Sequence, residues 1–428
     1  MKIYNLKNLT KQEINKLCSR SIADDDLVKS RAEDIIANVK SNGDEALFSY
    51  TQQFDKVTLT SLYIGTSEIG SIAEQIPAEV KSAIDTAYQN IYTFHASQLK
   101  PEEKIETMPG VKCWRESRPI ERVGLYIPGG TAVLPSTFLM LGIPAKIAGC
   151  KEIVICSPPQ SDGKINCYIA YVATLLNIEK IYLIGGAQAI AAMALGTATL
   201  PKVDKIFGPG NRYVTEAKKL VQNIVAIDMP AGPSEVLVIA DETAIPSFVA
   251  ADLLAQAEHG TDSQSILVST SNKIATNVVK EIEKQLVKLP RKEIAAQAIE
   301  NSYIILTENL TEAMQFSNIY APEHLILASE SYENLIPLII NAGSVFLGNL
   351  TPESAGDYAS GTNHTLPTSS YAKAYSGVSV DTFIKKITFQ HLNSNGLKNI
   401  GTTVETLAEA EGLQAHKNAI SIRLTKLN

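Results

Sequence analysis

Cysteine is scarce in this chain. There are five (Cys18, Cys113, Cys150, Cys156 and Cys167), an odd number with no Cys-x-x-Cys pair. That argues against a disulfide framework or a thiolate metal cluster and fits a reducing cytosol. An excess of positive charge is also missing. The formal net charge is -7, which disfavours a nucleic-acid or anionic-membrane surface and suits a soluble protein with small-molecule chemistry. No run is long enough to cross a bilayer, because the longest apolar stretch, FLMLGIPAKIAGC, is broken by Pro144 and Lys146. The start, MKIYNLKNLTKQEINKL, has no apolar signal core, so a cytoplasmic location is expected. A Gly-x-Gly-x-x-Gly fingerprint is absent too, and a dinucleotide cannot be read from spacing alone.

What is present is a large apolar fraction, 45% of 428 residues, enough for two or three domains with a sizeable core. The first hundred residues carry helical periodicity. From KCWRESRPIERVGLYIPGG onward, short apolar runs, those of a first series ending in Gly or Pro, alternate with helical stretches. VGLYIPGG, EIVICSPP, KIYLIGG and KIFGPG form one series of strands. EVLVIAD, QSILVST, SYIILTEN, LILASE and SVFLGN form a second, and YENLIPLIINAG reads as one of its helices. Alternation of this kind predicts βα units and parallel sheets.

The expected fold is α/β: two doubly wound, incomplete Rossmann-like parallel-sheet domains with small helical N- and C-terminal extensions. The expected boundaries are 1–20 for the N-terminal helical extension and 21–120 joined with 235–375 for a discontinuous first domain. The second domain is 121–234, and the C-terminal tail is 376–428. The segment TPESAGDYASGTNHTLPTSSYAKAYSG is small and polar and reads as an active-site loop. The tail is a helix, a break at Gly412 and another helix. It is too small to fold alone and should dock on another body or subunit.

Three glycine-rich turns close strands: IPGG (127–130), IGGAQA (184–189) and FGPGN (207–211). Ligands of open α/β sheets bind beyond the carboxyl ends of strands, so these turns are either phosphate-approaching loops or ordinary strand-to-helix turns. In LLAQAEHGTD, Gln256 and His259 stand one helical turn apart. They read either as half a metal site or as a helix end finished by Gly260. YAPEH sets Glu323 beside His324, two proton-transfer groups of different basicity, or else a solvated turn. Asp357 in ESAGDYASG is a turn residue or a ligand, and His416 is a surface histidine or a ligand. His95 and His391 lack such company. Gln256, His259, Asp357 and one more histidine would make a mixed N/O site suited to Zn²⁺.

Several blocks closely resemble histidinol dehydrogenases: RVGLYIPGGTAVLPSTFLMLGIPAKIAGC, GGAQAIAAMALGT, KVDKIFGPGNRYV, MPAGPSEVLVIAD, DLLAQAEHG, YAPEHL, SAGDYASGTNHTLPT and EGLQAHKNAISIR. They run in order from about residue 110 to 425. The resemblance implies oxidation of L-histidinol through L-histidinaldehyde to L-histidine, the last step of histidine biosynthesis. It implies two NAD⁺ per turnover, one Zn²⁺ per subunit, and a homodimer that exchanges tails and shares its active sites. It carries the zinc-ligand role to Gln256, His259 and Asp357, and to His416 from the partner subunit. It makes Glu323 and His324 the acid–base pair. It assigns NAD⁺ contacts to Tyr126, Gln188 and Asn211. The substrate contacts it implies are Ser234 and Glu411, together with His324 and the four zinc ligands. A dehydrogenase of another small primary alcohol could keep the zinc set and the Glu-His pair, but Glu411 and Ser234 suit an amino alcohol.

Overall fold

The structure is a computed structural model that describes residues 1–19, 26–129 and 133–427. Gly130 of the IPGG turn and the junction of the first two expected segments, residues 20–25, lie outside the described residues. Two six-stranded sheets and one three-stranded sheet are formed among them. In spatial order, the first sheet holds Lys2–Asn5, Tyr303–Leu306, Gln264–Ser269, Glu235–Ala240, His324–Ala328 and Ser344–Leu347, all parallel. The second holds Tyr63–Gly65, Lys180–Tyr182, Glu152–Cys156, Arg122–Tyr126, Lys205–Phe207 and Ala226–Ile227. It is parallel except for its edge strand Tyr63–Gly65.

Strand alternation explains why each sheet carries a core on both faces. Val236, Val238 and Ala240 pack on one side of the first sheet, and Leu237 and Ile239 on the other. Val123 and Leu125 face one side of the second sheet, and Tyr126 faces the opposite side.

The apolar faces of the N-terminal helices decide where the first hundred residues belong. Ile35, Val39 and Leu47 pack with Tyr126 and Val154, and Ile64, Ile69 and Ile91 pack with Val123 and Phe138. The expected grouping of 21–120 with 235–375 is therefore corrected: 26–96 cover the second sheet. The expected N-terminal helical extension also begins as a strand, Lys2–Asn5, on the edge of the first sheet.

Two further expectations are corrected. YENLIPLIINAG is not a helix but two 3₁₀ turns, Tyr332–Asn334 and Ile336–Leu338, because Pro337 has no N–H to donate and its ring clashes with the preceding turn of a continuous helix. The tail opens with a strand, Ile384–Leu392, antiparallel to Val111–Pro119. Beyond it the helices Ser394–Ala410 and Gln414–Leu427 pack on each other across Gly412, whose φ is 74°. No helix among the described residues is long and apolar enough to cross a membrane.

Candidate active site

Glu323 and His324 sit where a helix ends and a buried strand begins. Helix Leu310–Tyr320 stops at Ala321, which adopts left-handed backbone (φ 55°), and Pro322 prevents its continuation. Gly343 packs against this turn so closely that a Cβ there would lie 2.6 Å from the Glu323 carbonyl oxygen. Both side chains then reach the same neighbour. Glu323 Oε2 accepts from the Glu235 backbone N–H at 2.9 Å, and His324 Nδ1 lies 3.2 Å from the Glu235 carbonyl oxygen. Glu235 is itself fully buried. Its carboxylate accepts from the Ser369 N–H at 3.1 Å and stands 3.2 Å from the Tyr320 hydroxyl.

Three carboxylates surround the His324 ring. Its Nδ1 is 3.7 Å from Glu323 Oε2 and 3.6 Å from Glu353 Oε1, and its Nε2 is 3.5 Å from Asp357 Oδ1. Burial opposes charge on the imidazole, yet Glu353, Glu323 and Asp357 together hold its pKa well above the ordinary histidine value. Burial pushes the Glu323 carboxyl up to about 7 and the Glu353 carboxyl up to about 8. Asp357 is half-buried, and its contact with His324 outweighs the desolvation and holds it below the usual carboxylate range.

Asp357 lies on a short helix, Glu353–Tyr358, inside the segment expected to be loop. Pro352 precedes this helix, and its spacing puts Glu353 and Asp357 on one face. His364 braces it: Nδ1 is 3.0 Å from the Asp357 carbonyl oxygen and Nε2 is 2.9 Å from Thr137 Oγ1. Thr137 belongs to helix Pro135–Ala148 of the second sheet's layer. Asn363 Nδ2 also donates to the Met140 carbonyl of that helix at 2.5 Å, so this loop ties the two sheet bodies together beside the site.

Gln256 closes the last turn of helix Pro246–Ala257, and His259 follows, its N–H bonded to the Gln256 carbonyl at 3.3 Å. A helix C-terminus carries partial negative charge, which favours a cation nearby. The fully buried Gln256 amide satisfies its surroundings with nitrogen toward Glu353 Oε1 (2.6 Å) and oxygen toward the Glu235 N–H (3.3 Å). His259 reaches solvent on its outer side, while the protein around it holds its pKa below the ordinary value. Ligand atoms of His259, Glu353 and Asp357 lie within 4.8 Å of one another. One imidazole and two carboxylates in that space, with the Gln256 amide against them and Glu353 Oε2 left without a hydrogen-bond partner, fit a divalent cation with nitrogen and oxygen ligands.

Sequence reasoning missed Glu353, Glu235 and His364. The signal for Glu353 was its i, i+4 spacing to Asp357. Glu235 and His364 acquire their places only through strand pairing and the inter-body loop.

The other candidates fall into two groups. Ser234 is half-buried and leads into strand Glu235–Ala240, its carbonyl accepting from the Gln264 N–H at 3.1 Å. Ser234, Glu235 and His324 thus stand at the amino ends of first-sheet strands. Tyr126, Gln188 and Asn211 stand at the opposite kind of edge, beyond the carboxyl ends of second-sheet strands. Tyr126 is buried and its hydroxyl accepts from the Gly186 N–H at 3.1 Å, which leaves its own proton free to donate. Gln188 is buried in the first turn of helix Gly186–Leu195. Asn211 is exposed and caps helix Arg212–Leu220, accepting from Tyr213 N–H at 3.0 Å and Val214 N–H at 3.2 Å. Amides and a phenol at a parallel sheet's carboxyl edge, beside two helix N-termini, fit a nucleotide. Within one subunit, Glu411 and His416 are exposed on the tail; neither is among the side chains that gather around His259.

The family model for histidinol dehydrogenase matches residues 18–424. Histidinol dehydrogenase of Bacteroides thetaiotaomicron is 55% identical over 423 residues, 99% of each chain. The chloroplastic histidinol dehydrogenase of Arabidopsis thaliana is 53% identical, over 99% of this chain and 91% of its own. The crystal structure of histidinol dehydrogenase from Elizabethkingia anophelis superposes with a TM-score of 0.97 at 54% identity, covering 100% of this chain and 99% of that one. The chain belongs to the histidinol dehydrogenase family, oxidoreductases of histidine biosynthesis.

Proposed function

We propose that this protein oxidises L-histidinol to L-histidine in two steps through L-histidinaldehyde, using NAD⁺ and one Zn²⁺ per subunit. The observation that carries the reading is the buried cluster of His324, Glu323, Glu353 and Asp357 beside Gln256 and His259. Gln256, His259 and Asp357 would hold the metal, with the partner subunit's His416 as fourth ligand and its Glu411 facing the substrate's amine. When bound, Zn²⁺ supplies an anchor for the amino and imidazole nitrogens of histidinol, and NAD⁺ accepts a hydride in each oxidation.

His324 takes the alcohol proton on Nε2 in the first step. Its Nδ1 faces the Glu235 carbonyl, which fixes the ring's orientation. In the second step Glu323 takes a proton from the water that adds to the aldehyde. Its pKa near 7 suits that exchange at neutral pH. Burial of both groups keeps bulk water from competing. Ser234 contacts the substrate from the neighbouring strand end, and Tyr126, Gln188 and Asn211 face the cofactor.

Tail exchange in a homodimer accounts for a C-terminal helix, Gln414–Leu427, with no buried residue in the single chain. All five cysteines are free thiols, which suits a reducing cytoplasm.

The test is substrate-dependent NADH formation by Zn²⁺-loaded protein. L-histidinol should be turned over in preference to other small primary alcohols, with activity lost on chelation and restored by Zn²⁺. Equal turnover of an alcohol lacking amine and imidazole would favour a dehydrogenase of different specificity.

A further inference from the structure

Lys218 and Asp228 form a buried ion pair in the second sheet's layer, with side chains 6% and 1% exposed. Lys218 lies on helix Arg212–Leu220, and Asp228 follows strand Ala226–Ile227. The pair does more than neutralise itself. Lys218 Nζ donates to the Gly208 carbonyl at 2.9 Å, and Asp228 Oδ2 accepts from the Gly208 N–H at 2.8 Å. Asp228 Oδ1 also accepts from the Met229 N–H at 2.7 Å. Both polar groups of one glycine are therefore held by one ion pair.

Gly208 has no room to adjust. Its φ is 124°, and a Cβ there would lie 2.1 Å from the Tyr126 carbonyl oxygen. The turn Phe207–Asn211 is thus pinned between the Tyr126 backbone and the Lys218–Asp228 pair. Tyr126 and Asn211 flank that pin.

A buried ion pair is a poor way to gain stability, since apolar side chains of similar volume serve as well or better. Its distinctive property here is directional: it fixes the orientation of a particular peptide. We propose that Lys218 and Asp228 are positioning residues that set the turn 207–211 for NAD⁺ binding without touching the cofactor. This rests on the reading that NAD⁺ binds at Tyr126, Gln188 and Asn211.

The test is calorimetric titration of the full-length, Zn²⁺-loaded protein with NAD⁺, alongside thermal midpoint and Zn²⁺ stoichiometry. Lys218→Met should weaken NAD⁺ binding by about tenfold or more, while one Zn²⁺ per subunit is retained. Lys218→Met with Asp228→Leu removes both charges and should recover the thermal midpoint but not NAD⁺ affinity. If Lys218→Met alone does not fold, the double variant decides. NAD⁺ affinity that returns together with the thermal midpoint, or that never changes, would overturn the inference. Failure of the unaltered protein to bind NAD⁺ would overturn the cofactor reading itself, and this inference with it.

Discussion

His324 Nδ1 lies 3.7 Å from Oε2 of Glu323, its neighbour in sequence, although successive residues of an extended strand point to opposite faces. The two meet because Glu323 is still in the turn when His324 begins the strand. Both then lean on the backbone of Glu235, one on its N–H and one on its carbonyl.

That relationship separates the two oxidation steps. Glu323→Gln should retain most of the alcohol oxidation and lose aldehyde oxidation by about 10²–10⁴-fold. Histidinol and histidinaldehyde supplied separately to the variant would show it. His324 carries a raised pKa, so its neutral, base-competent form accumulates as pH rises, and alcohol oxidation should climb into the alkaline range. Removing the Glu323 charge lowers the His324 pKa and should move that rise to lower pH. An unchanged pH profile in the variant would contradict this electrostatic coupling.

Glu353 should matter to metal binding although no sequence motif marked it. It takes the Gln256 amide at 2.6 Å and stands within reach of His259 and Asp357. Residues that orient ligands in this way typically contribute about 10–100-fold in metal affinity. Glu353→Ala should lose Zn²⁺ affinity in that range, measured by competition with a chelator of known affinity.

The shared site makes a prediction about mixtures. His416→Ala and Gln256→Ala chains should each be inactive alone. Mixed under exchanging conditions, they should recover partial activity, because one of the two sites in the heterodimer then has an intact Gln256 and an intact His416 from the other chain. No recovery would place His416 in its own chain's site or outside it.

Asp252 offers a test of stability against pH. Burial pushes its carboxyl up to about 7, well above its unfolded value. The folded chain therefore binds more protons than the unfolded chain between about pH 4 and 7, and stability falls as pH rises through that window. Asp252→Asn cannot ionise. Its thermal midpoint relative to the parent should be higher at pH 8 than at pH 5, by about 2 °C or more. An equal difference at both pH values would place the Asp252 carboxyl near its ordinary range.

Most strands were legible as short apolar runs, closed by Gly or Pro in the second sheet, as in Arg122–Tyr126, and by polar residues in the first, as in Glu235–Ala240. Segment membership was less so. An amphipathic helix such as Asp26–Tyr50 declares that it buries a face but not which sheet receives it, and 26–96 pack on the second sheet. Strand Ile384–Leu392 escaped notice because its mostly exposed residues lack apolar alternation, and its partner Val111–Pro119 lies far away in sequence. At the site, Gln256, His259, Glu323, His324 and Asp357 were visible as polar residues at element ends. Glu235 opens an apolar strand and gained its place only from strand pairing, and His364 gained its place from Thr137 in the other body.

The most direct measurement is the number of NADH molecules formed when limiting L-histidinol is added to Zn²⁺-loaded protein with excess NAD⁺. Two per histidinol is the predicted result, since His324 and Glu323 serve successive oxidations in one cluster. One per histidinol would mean that the reaction stops at the aldehyde, and would contradict the role given to Glu323.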